Sequence, residues 1–427
     1  MTHHFKVSRC VETALEEAES LYRSLHPASA AHSAHAAQFM PGGNTRSSLW
    51  AFPFPIYMEG GHEARLTDVD GNVYIDFLGE FTSGIYGHSP DFLKDALVSA
   101  TDRGVSLSSH HRLEGELAER LCQRFPSVDM VRFCNSGTEA NIMAINAALT
   151  FTGREEVVVF QGAYHGSVLT FSGNNDVNVP FKTIILPYND IEALLATFAG
   201  RADQIAAIIV EPMLGAGGCT PGTAEFLSTC RELCSDSGAV LIFDEVQTAR
   251  LHFGGRQSQL GIFPDLTVVG KFFGGSLPFG CFGGRKDIMQ QFDPRAVGAI
   301  AHAGTFNNNT LTMAAGIAAI DQHLTAEALD QLSARGDRLR TEINAVFERQ
   351  GAPYHATGIG SIMNIHPNHG PDSKYLRQLI YLDLINSGIF VAARGLISLC
   401  FSINDDDIVT FVQKLKFFTE QRSVCWS

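Results

Sequence analysis

The sequence predicts an α/β protein in which a large, doubly wound, mostly parallel sheet is joined by a smaller α+β part. Three observations carry this. Short apolar runs recur at Val157-Val-Val-Phe160, Ala206-Ala-Ile-Ile-Val210, Val240-Leu-Ile-Phe243 and Leu266-Thr-Val-Val269, and strands with so little alternation are covered on both faces. The segments between them are long enough for helices, the connection that parallel strands require. Asn135, Gly162, Glu211, Asp244 and Lys271 fall just beyond such runs, at the rim where open α/β sheets bind ligands.

The remaining elements follow in chain order. Helical periodicity runs from Val11 to Leu25, and Pro41-Gly-Gly43 makes a turn. Met58-Glu-Gly-Gly61 and Asp68-Val-Asp-Gly-Asn72 carry hairpin-turn chemistry around a small sheet. Val131-Arg-Phe133 is a short strand that leads into an Ala-rich helix, and a further helix covers Ala224 to Ser235. Helical periodicity returns at Ala326 to Arg349 and Ser373 to Asn386, followed by the strand-like Ile397-Ser-Leu-Cys-Phe401. The division expected is residues 1–75 and 321–427 for the small domain and 76–320 for the large one.

With 427 residues, 45% of them hydrophobic and 18% charged, the chain can bury a large core. A net charge of −14 argues against non-specific binding to nucleic acid or anionic membranes, which select basic surfaces. No apolar run has transmembrane length, and His3, His4, Lys6 and Arg9 are not followed by the hydrophobic stretch of a signal peptide. The nine cysteines are scattered and odd in number, which suits reduced thiols and a cytoplasmic location. Cys230 and Cys234 share one helix face, but no second pair follows, so they read as core thiols. His26, His32 and His35 read as helix histidines, because no Cys or carboxylate completes a metal site.

The strand ends carry the chemistry. Lys271 supplies an amine, and Asp244 a carboxylate that needs a cation if buried. Pyridoxal phosphate needs both: an amine that condenses with its aldehyde, and a carboxylate that keeps its ring nitrogen protonated. Asn135-Ser-Gly-Thr-Glu-Ala-Asn141 is either an ordinary N-cap or a phosphate cup at a helix N-terminus. Its place in the chain before Asp244 and Lys271 favours the cup.

These motifs resemble the fold-type I, class III pyridoxal phosphate enzymes, a family of ω- and β-amino acid aminotransferases and glutamate-1-semialdehyde 2,1-aminomutases. The resemblance runs from Met40-Pro-Gly-Gly-Asn-Thr-Arg46 to Ala393-Arg-Gly395, through Asp68-Val-Asp-Gly71, Tyr164-His-Gly166, Glu211-Pro-Met213, Asp244-Glu-Val246 and Gly304-Thr-Phe-Asn-Asn-Asn309. Within the family, Met40 to Arg46, Phe306 to Asn309 and Arg394-Gly395 look most like aminotransferases of β-amino acids such as β-phenylalanine.

The resemblance implies a role for each site residue. Lys271 forms the Schiff base and moves a proton, and Asp244 pairs with the ring nitrogen. Val246 packs on one ring face and Tyr164 stacks on the other. Ser136, Gly137 and Thr138 take the phosphate. Thr305 contributes from the second subunit of a homodimer with shared sites. Glu211 positions the side of the cofactor that carries its phenolic oxygen; Gln247 is a weaker candidate. Arg46 and Arg394 are the candidates for substrate carboxylates, since a guanidinium binds a carboxylate through two parallel hydrogen bonds; the alternative for each is a surface arginine. Trp50, Phe52, Phe54, Phe81 and Tyr86 are candidates for an apolar pocket or for core packing. The chain departs from the wider family at Ala249-Arg250, where a glycine is usual after the threonine, at Ser276, where a third glycine is common, and at Thr310, where a proline is frequent.

Three functions are thereby open. The first is an aminotransferase that moves an amino group from a β- or other non-α amino acid to a keto acid such as 2-oxoglutarate by a ping-pong mechanism. The second is a 2,1-aminomutase, against which Asn44-Thr45-Arg46 departs from the aminomutases' Asn-Ser-Pro pattern. The third is a silent binding or regulatory protein that retains the cofactor, against which Lys271 and Asp244 are intact.

Overall fold

The computed structural model describes residues 8–172 and 177–426; His3, His4 and Lys6 lie outside them. The chain forms two compact units, Met1–Pro90 with Leu332–Ser427, and Asp91–Gln331.

The second unit is built on a seven-stranded sheet in the spatial order Met130–Cys134, Gly280–Gly284, Leu266–Gly270, Val240–Asp244, Ile205–Val210, Glu156–Phe160, Lys182–Leu186. Gly280–Gly284 runs antiparallel to both its neighbours, and the other pairings are parallel. The apolar runs are strands because alternate side chains enter two separate cores. Val157, Val159, Ala207, Ile209, Val240 and Ile242 pack on one face with Ala140, Ala144, Ala147 and Ala148 of the helix Gly137–Thr152. Val158, Phe160, Ile208, Val210, Leu241 and Phe243 pack on the other with Phe226, Leu227, Cys230 and Cys234 of the helix Ala224–Ser237. Each Val, Ile, Leu or Phe among them contributes about 1.5–3 kcal/mol when fully buried. Cys230 and Cys234 are therefore core thiols.

Gly280–Gly284 was not legible as a strand, since three of its five residues are glycine. Their absence of side chains is what lets the strand pair here: a Cβ at Gly284 would stand 2.1 Å from the Asp265 carbonyl oxygen and one at Gly283 2.6 Å from that of Met130.

In the first unit the two chain ends share a sheet, because Ile389–Phe390 pairs in parallel with Val73–Asp76. The helix Arg9–Leu25 packs on Ser373–Asn386. A second, antiparallel sheet joins Tyr354–Ile359, Ile362–Pro367 and Leu396–Ser398. The strand expected to reach Phe401 stops at Ser398, where the backbone leaves the ladder: Leu399 N donates to Ser361 O and Phe401 N to Ile85 O.

Met58-Glu-Gly-Gly61 is also corrected. It lies within the strand Met58–His62, whose register shifts between Met58 and Gly60. The glycines serve a bulge and a close approach, since a Cβ on Gly61 would meet the His88 ring at 2.7 Å. The Asp68–Asn72 turn forms as expected, with Gly71 at φ +88 and Asp68 Oδ1 accepting from Asp70 N and Asn72 N. His26 is not an exposed helix histidine but a buried one, bonded to Tyr22 O at 2.6 Å and Tyr74 Oη at 2.7 Å; His32 and His35 are exposed.

Candidate active site

Asp244 and Lys271 stand at the same ends of adjacent parallel strands: Asp244 closes Val240–Asp244, and Lys271 follows Leu266–Gly270. Lys271 is part-buried with φ +55, a left-handed conformation that costs a non-glycine residue about 1–3 kcal/mol and persists only where packing outweighs that cost. Here the packing is in place, because Phe272 and Phe273 directly after it are fully buried.

Asp244 is buried, and its two carboxylate oxygens are held separately. Oδ1 accepts from Val246 N at 3.0 Å, and Oδ2 accepts from Asn141 Nδ2 at 2.8 Å and faces His165 Nδ1 at 2.9 Å. The protein thus supplies Asp244 with a titratable neighbour that strand-end reasoning did not. His165 and Asn141 lay inside the motifs Tyr164-His-Gly166 and Asn135–Asn141, and that adjacency was the available signal. Further, His165 Nε2 and Asn141 Oδ1 are buried with no hydrogen-bond partner among the described residues.

Asn135–Asn141 turns the chain from the strand Met130–Cys134 into a helix. Ser136 is the N-cap of Gly137–Thr152, and its side chain accepts from Glu139 N at 3.1 Å. The two backbones that flank it come too close for side chains. A Cβ on Gly166 would lie 2.3 Å from Thr138 Oγ1, and one on Gly280 would lie 2.0 Å from Ser136 O. Val246 borders the same turn, 3.0 Å from where a Gly137 Cβ would be. The outcome is a helix N-terminus with glycine at its first position and its dipole favouring an anion.

Tyr164 is 42% exposed, unusual for a large ring so close to a core. Its position is fixed through the backbone, because Glu211 Oε2 accepts from Tyr164 N at 2.9 Å while Oε1 accepts from Gly215 N at 3.0 Å. Burial raises the Glu211 carboxyl above the usual carboxylate range; His165 opposes that rise and Asp244 adds to it. Gln247 is nearly buried against Gly215, and its Oε1 has no partner among the described residues. Thr305 is exposed, on a loop tied to the start of the Asn135–Asn141 turn by Asn135 Nδ2 donating to Asn307 Oδ1 at 2.9 Å.

Arg46 and Arg394 belong to the first unit. Arg46 is ion-paired with Glu80. Both guanidinium groups lie over the Phe81 ring, 5.3 Å and 5.5 Å from its centroid. Of the aromatic set, Phe54 and Tyr86 are core residues, Phe54 packing on Tyr22, whereas Trp50 and Phe52 are exposed. The departures from the family pattern are accommodated locally. Arg250 is fully buried, and Ser276 takes φ +63 as a glycine would. Thr310 opens the helix Thr310–Gln322, a position that suits proline, and its hydroxyl donates to Gly104 O or Val105 O. Among the described residues, no group of three or more His, Cys, Asp or Glu side chains is placed to hold a metal ion, and no helix is long and apolar enough to cross a membrane.

The family model for class-III aminotransferases matches residues 47–417. The chain belongs to that family. It is 44% identical to the β-phenylalanine transaminase of Variovorax paradoxus over 98% of this chain and 97% of the relative. A solved β-phenylalanine aminotransferase structure from that organism superposes with a TM-score of 0.94, covering 97% of this chain and 98% of that one at 43% identity. A solved transaminase with PLP bound gives a TM-score of 0.87 at 31% identity, covering 93% and 98%. Glutamate-1-semialdehyde 2,1-aminomutase 2 of Bacillus licheniformis is 36% identical over 87% of this chain and 93% of its own length.

The protein is a fold-type I, pyridoxal phosphate-dependent transaminase. Its own residues fit that cofactor. Orphaned polar atoms of His165 and Asn141, the two side chains on Asp244 Oδ2, accompany the Asp244 carboxylate, and the anion-favouring turn at Ser136–Thr138 is framed by glycines whose Cβ atoms would collide with it.

Proposed function

We propose that the enzyme transfers the amino group of a β-amino acid of the β-phenylalanine type to a keto acid such as 2-oxoglutarate, by a ping-pong mechanism in which the two acids use one site in turn. Bound at the strand ends, pyridoxal phosphate supplies an aldehyde and an electron-withdrawing ring. Lys271 provides the amine that holds it and then carries a proton to and from the substrate carbon that bears nitrogen. Asp244 keeps the ring nitrogen protonated, with its carboxylate aimed by Asn141, His165 and Val246 N. Ser136, Gly137 and Thr138 bind the phosphate. Val246 and Tyr164 enclose the ring, and Glu211 acts through the backbone of Tyr164.

The observation that carries the two-acid reading is the pair of arginines on one ring, Arg46 and Arg394 over Phe81. A β-amino acid holds its carboxylate one carbon farther from the reacting amine than an α-amino acid does. Two guanidinium groups at one aromatic platform answer that difference: Arg46 takes the donor carboxylate and Arg394 the α-carboxylate of the acceptor. We further propose a cytoplasmic homodimer in which Thr305 completes the partner's phosphate site; the exposure of Thr305 and of Phe306 beside it supports this.

The test is incubation of the holoenzyme with α-, β- and ω-amines, with and without 2-oxoglutarate or pyruvate, followed by amino-acid analysis. Acceptor-dependent amino-acid product from β-phenylalanine is expected. The aminomutase relative makes rearrangement the second reading, and an isomerised product formed without acceptor would establish it instead.

A further inference from the structure

Residues 79–82 form an unusual turn: Gly79, Glu80, Phe81 and Thr82 all have positive φ, at +54, +46, +52 and +78. Three non-glycine residues in a row in the left-handed region store strain that the surroundings must hold. They do so from several sides. Asp76 Oδ1 accepts from Leu78 N at 2.8 Å and Gly79 N at 3.1 Å, while Asp76 Oδ2 pairs with His88 Nε2 at 2.9 Å. Gly79 lies against Ser398 O, 2.7 Å from where a Cβ would be, and Thr82 is fully buried. The turn so held sets Phe81 against both arginines and Glu80 against Arg46.

The consequences of those contacts differ. Phe81 lends one ring to both guanidinium groups and distinguishes neither. Glu80 ion-pairs with Arg46. The contact is made through Arg46 Nη1 alone, which is one of the two nitrogens of the end-on fork, so a second carboxylate takes that fork only by displacing Glu80.

We propose that Glu80 is a specificity-determining latch: its carboxylate stands in on Arg46 for the carboxylate of the amino donor, and a donor acid binds by displacing it. This rests on the assignment of Arg46 to the donor. The latch keeps Arg46 neutralised when no acid is bound, and it lowers the affinity of every carboxylate that uses Arg46 by the strength of the internal pair. With side-chain exposures of 43% and 52%, that pair is a solvent-screened one, so its removal should tighten carboxylate binding by about 1.4- to 5-fold.

The experiment compares inhibition of the holoenzyme by 3-phenylpropionate, which has the donor's carboxylate but no amine, with inhibition by its neutral amide. Glu80→Gln should lower the inhibition constant of the acid within that range and leave that of the amide unchanged. Glu80→Asp should restore most of the wild-type value. Glu80→Gly, which suits the positive φ, serves as a second deletion of the charge should the glutamine perturb the turn. An acid constant unchanged in both Glu80→Gln and Glu80→Gly, or equal shifts for acid and amide, overturns the latch. Arg46→Ala in the same assay separates the two claims. If it weakens the acid at least tenfold while the Glu80 variants do not move it, the latch alone falls. If Arg46→Ala leaves the acid unchanged, the donor assignment falls and the latch with it.

Discussion

Gly166→Ala probes the contact between the Tyr164 loop and the proposed phosphate cup, and its cost follows from two distances and an angle. The new Cβ would sit 2.3 Å from Thr138 Oγ1 and 2.6 Å from Thr138 Cβ, where ordinary contact begins at 3.4 Å. Rotation about χ1 would move Thr138 Oγ1 but not Thr138 Cβ, which is fixed to the backbone of the helix's first turn, so Thr138 as a whole must shift. Overpacking of this kind costs about 1–3 kcal/mol, and φ +128 costs an alanine about 1–3 kcal/mol more. Gly153→Ala is the control, because Gly153 has φ +66 with nothing within 4 Å of its Cβ. It should lose only the left-handed cost of about 1–2 kcal/mol. Urea unfolding of both apoenzymes gives the stability, and equilibrium dialysis against pyridoxal phosphate gives the affinity. Gly166→Ala should lose roughly 2–6 kcal/mol and bind cofactor weakly, whereas Gly153→Ala should bind it normally. Equal behaviour of the two variants would refute the idea that this close approach shapes the cup.

Other expectations follow from the same geometry. Asp244→Asn should retain the fold but lose activity by about ten- to hundredfold, the worth of one hydrogen bond to a charged group; near-normal turnover, or an unchanged ring-nitrogen resonance in ¹⁵N-labelled cofactor, would contradict the pairing. Burial raises Glu211, so the folded state binds its proton more tightly than the unfolded one does. Its stabilising contribution is then complete below the unfolded value of about 4.3 and is lost as pH rises through the raised folded value. Wild-type thermal stability should therefore fall relative to Glu211→Gln as pH rises from about 5 to 8, and parallel curves would contradict this. Arg422 and Asp383, both nearly buried, bond at 2.9 Å, and Arg422 also bonds the exposed Glu17 at 2.6 Å. Arg422→Ala should cost about 3–5 kcal/mol by stranding Asp383, while Arg422→Met with Asp383→Leu should cost far less; equal losses in denaturant titrations would argue against a desolvation penalty.

The central sheet was legible because a strand buried on both faces must be apolar at successive positions, as Val157–Phe160 and Val240–Phe243 are. Gly280–Gly284 carries no such signal, since its pairing depends on missing side chains. Lys182–Leu186 was missed because it is a sheet-edge strand with an exposed lysine at its start. In the site, Lys271 and Asp244 announced themselves as charges that close apolar runs. Their neighbours did not: His165 meets Asp244 across 79 residues and Asn141 meets it across 103, and nothing local in sequence encodes such pairings. The Arg46 to Glu80 pair spans 34 residues. Phe81 was read as a pocket or core aromatic, whereas its use as a platform for two arginines depends on a strained turn that composition does not reveal.

Lys271 as the residue that carries the cofactor is tested most directly by reducing the holoenzyme with borohydride, which traps the lysine–cofactor bond, and mapping the label by peptide mass spectrometry. A single phosphopyridoxyl group on the peptide containing Lys271 is expected, lost in Lys271→Ala together with the visible absorption band. A label on another lysine, or a band that survives in Lys271→Ala, would contradict the assignment.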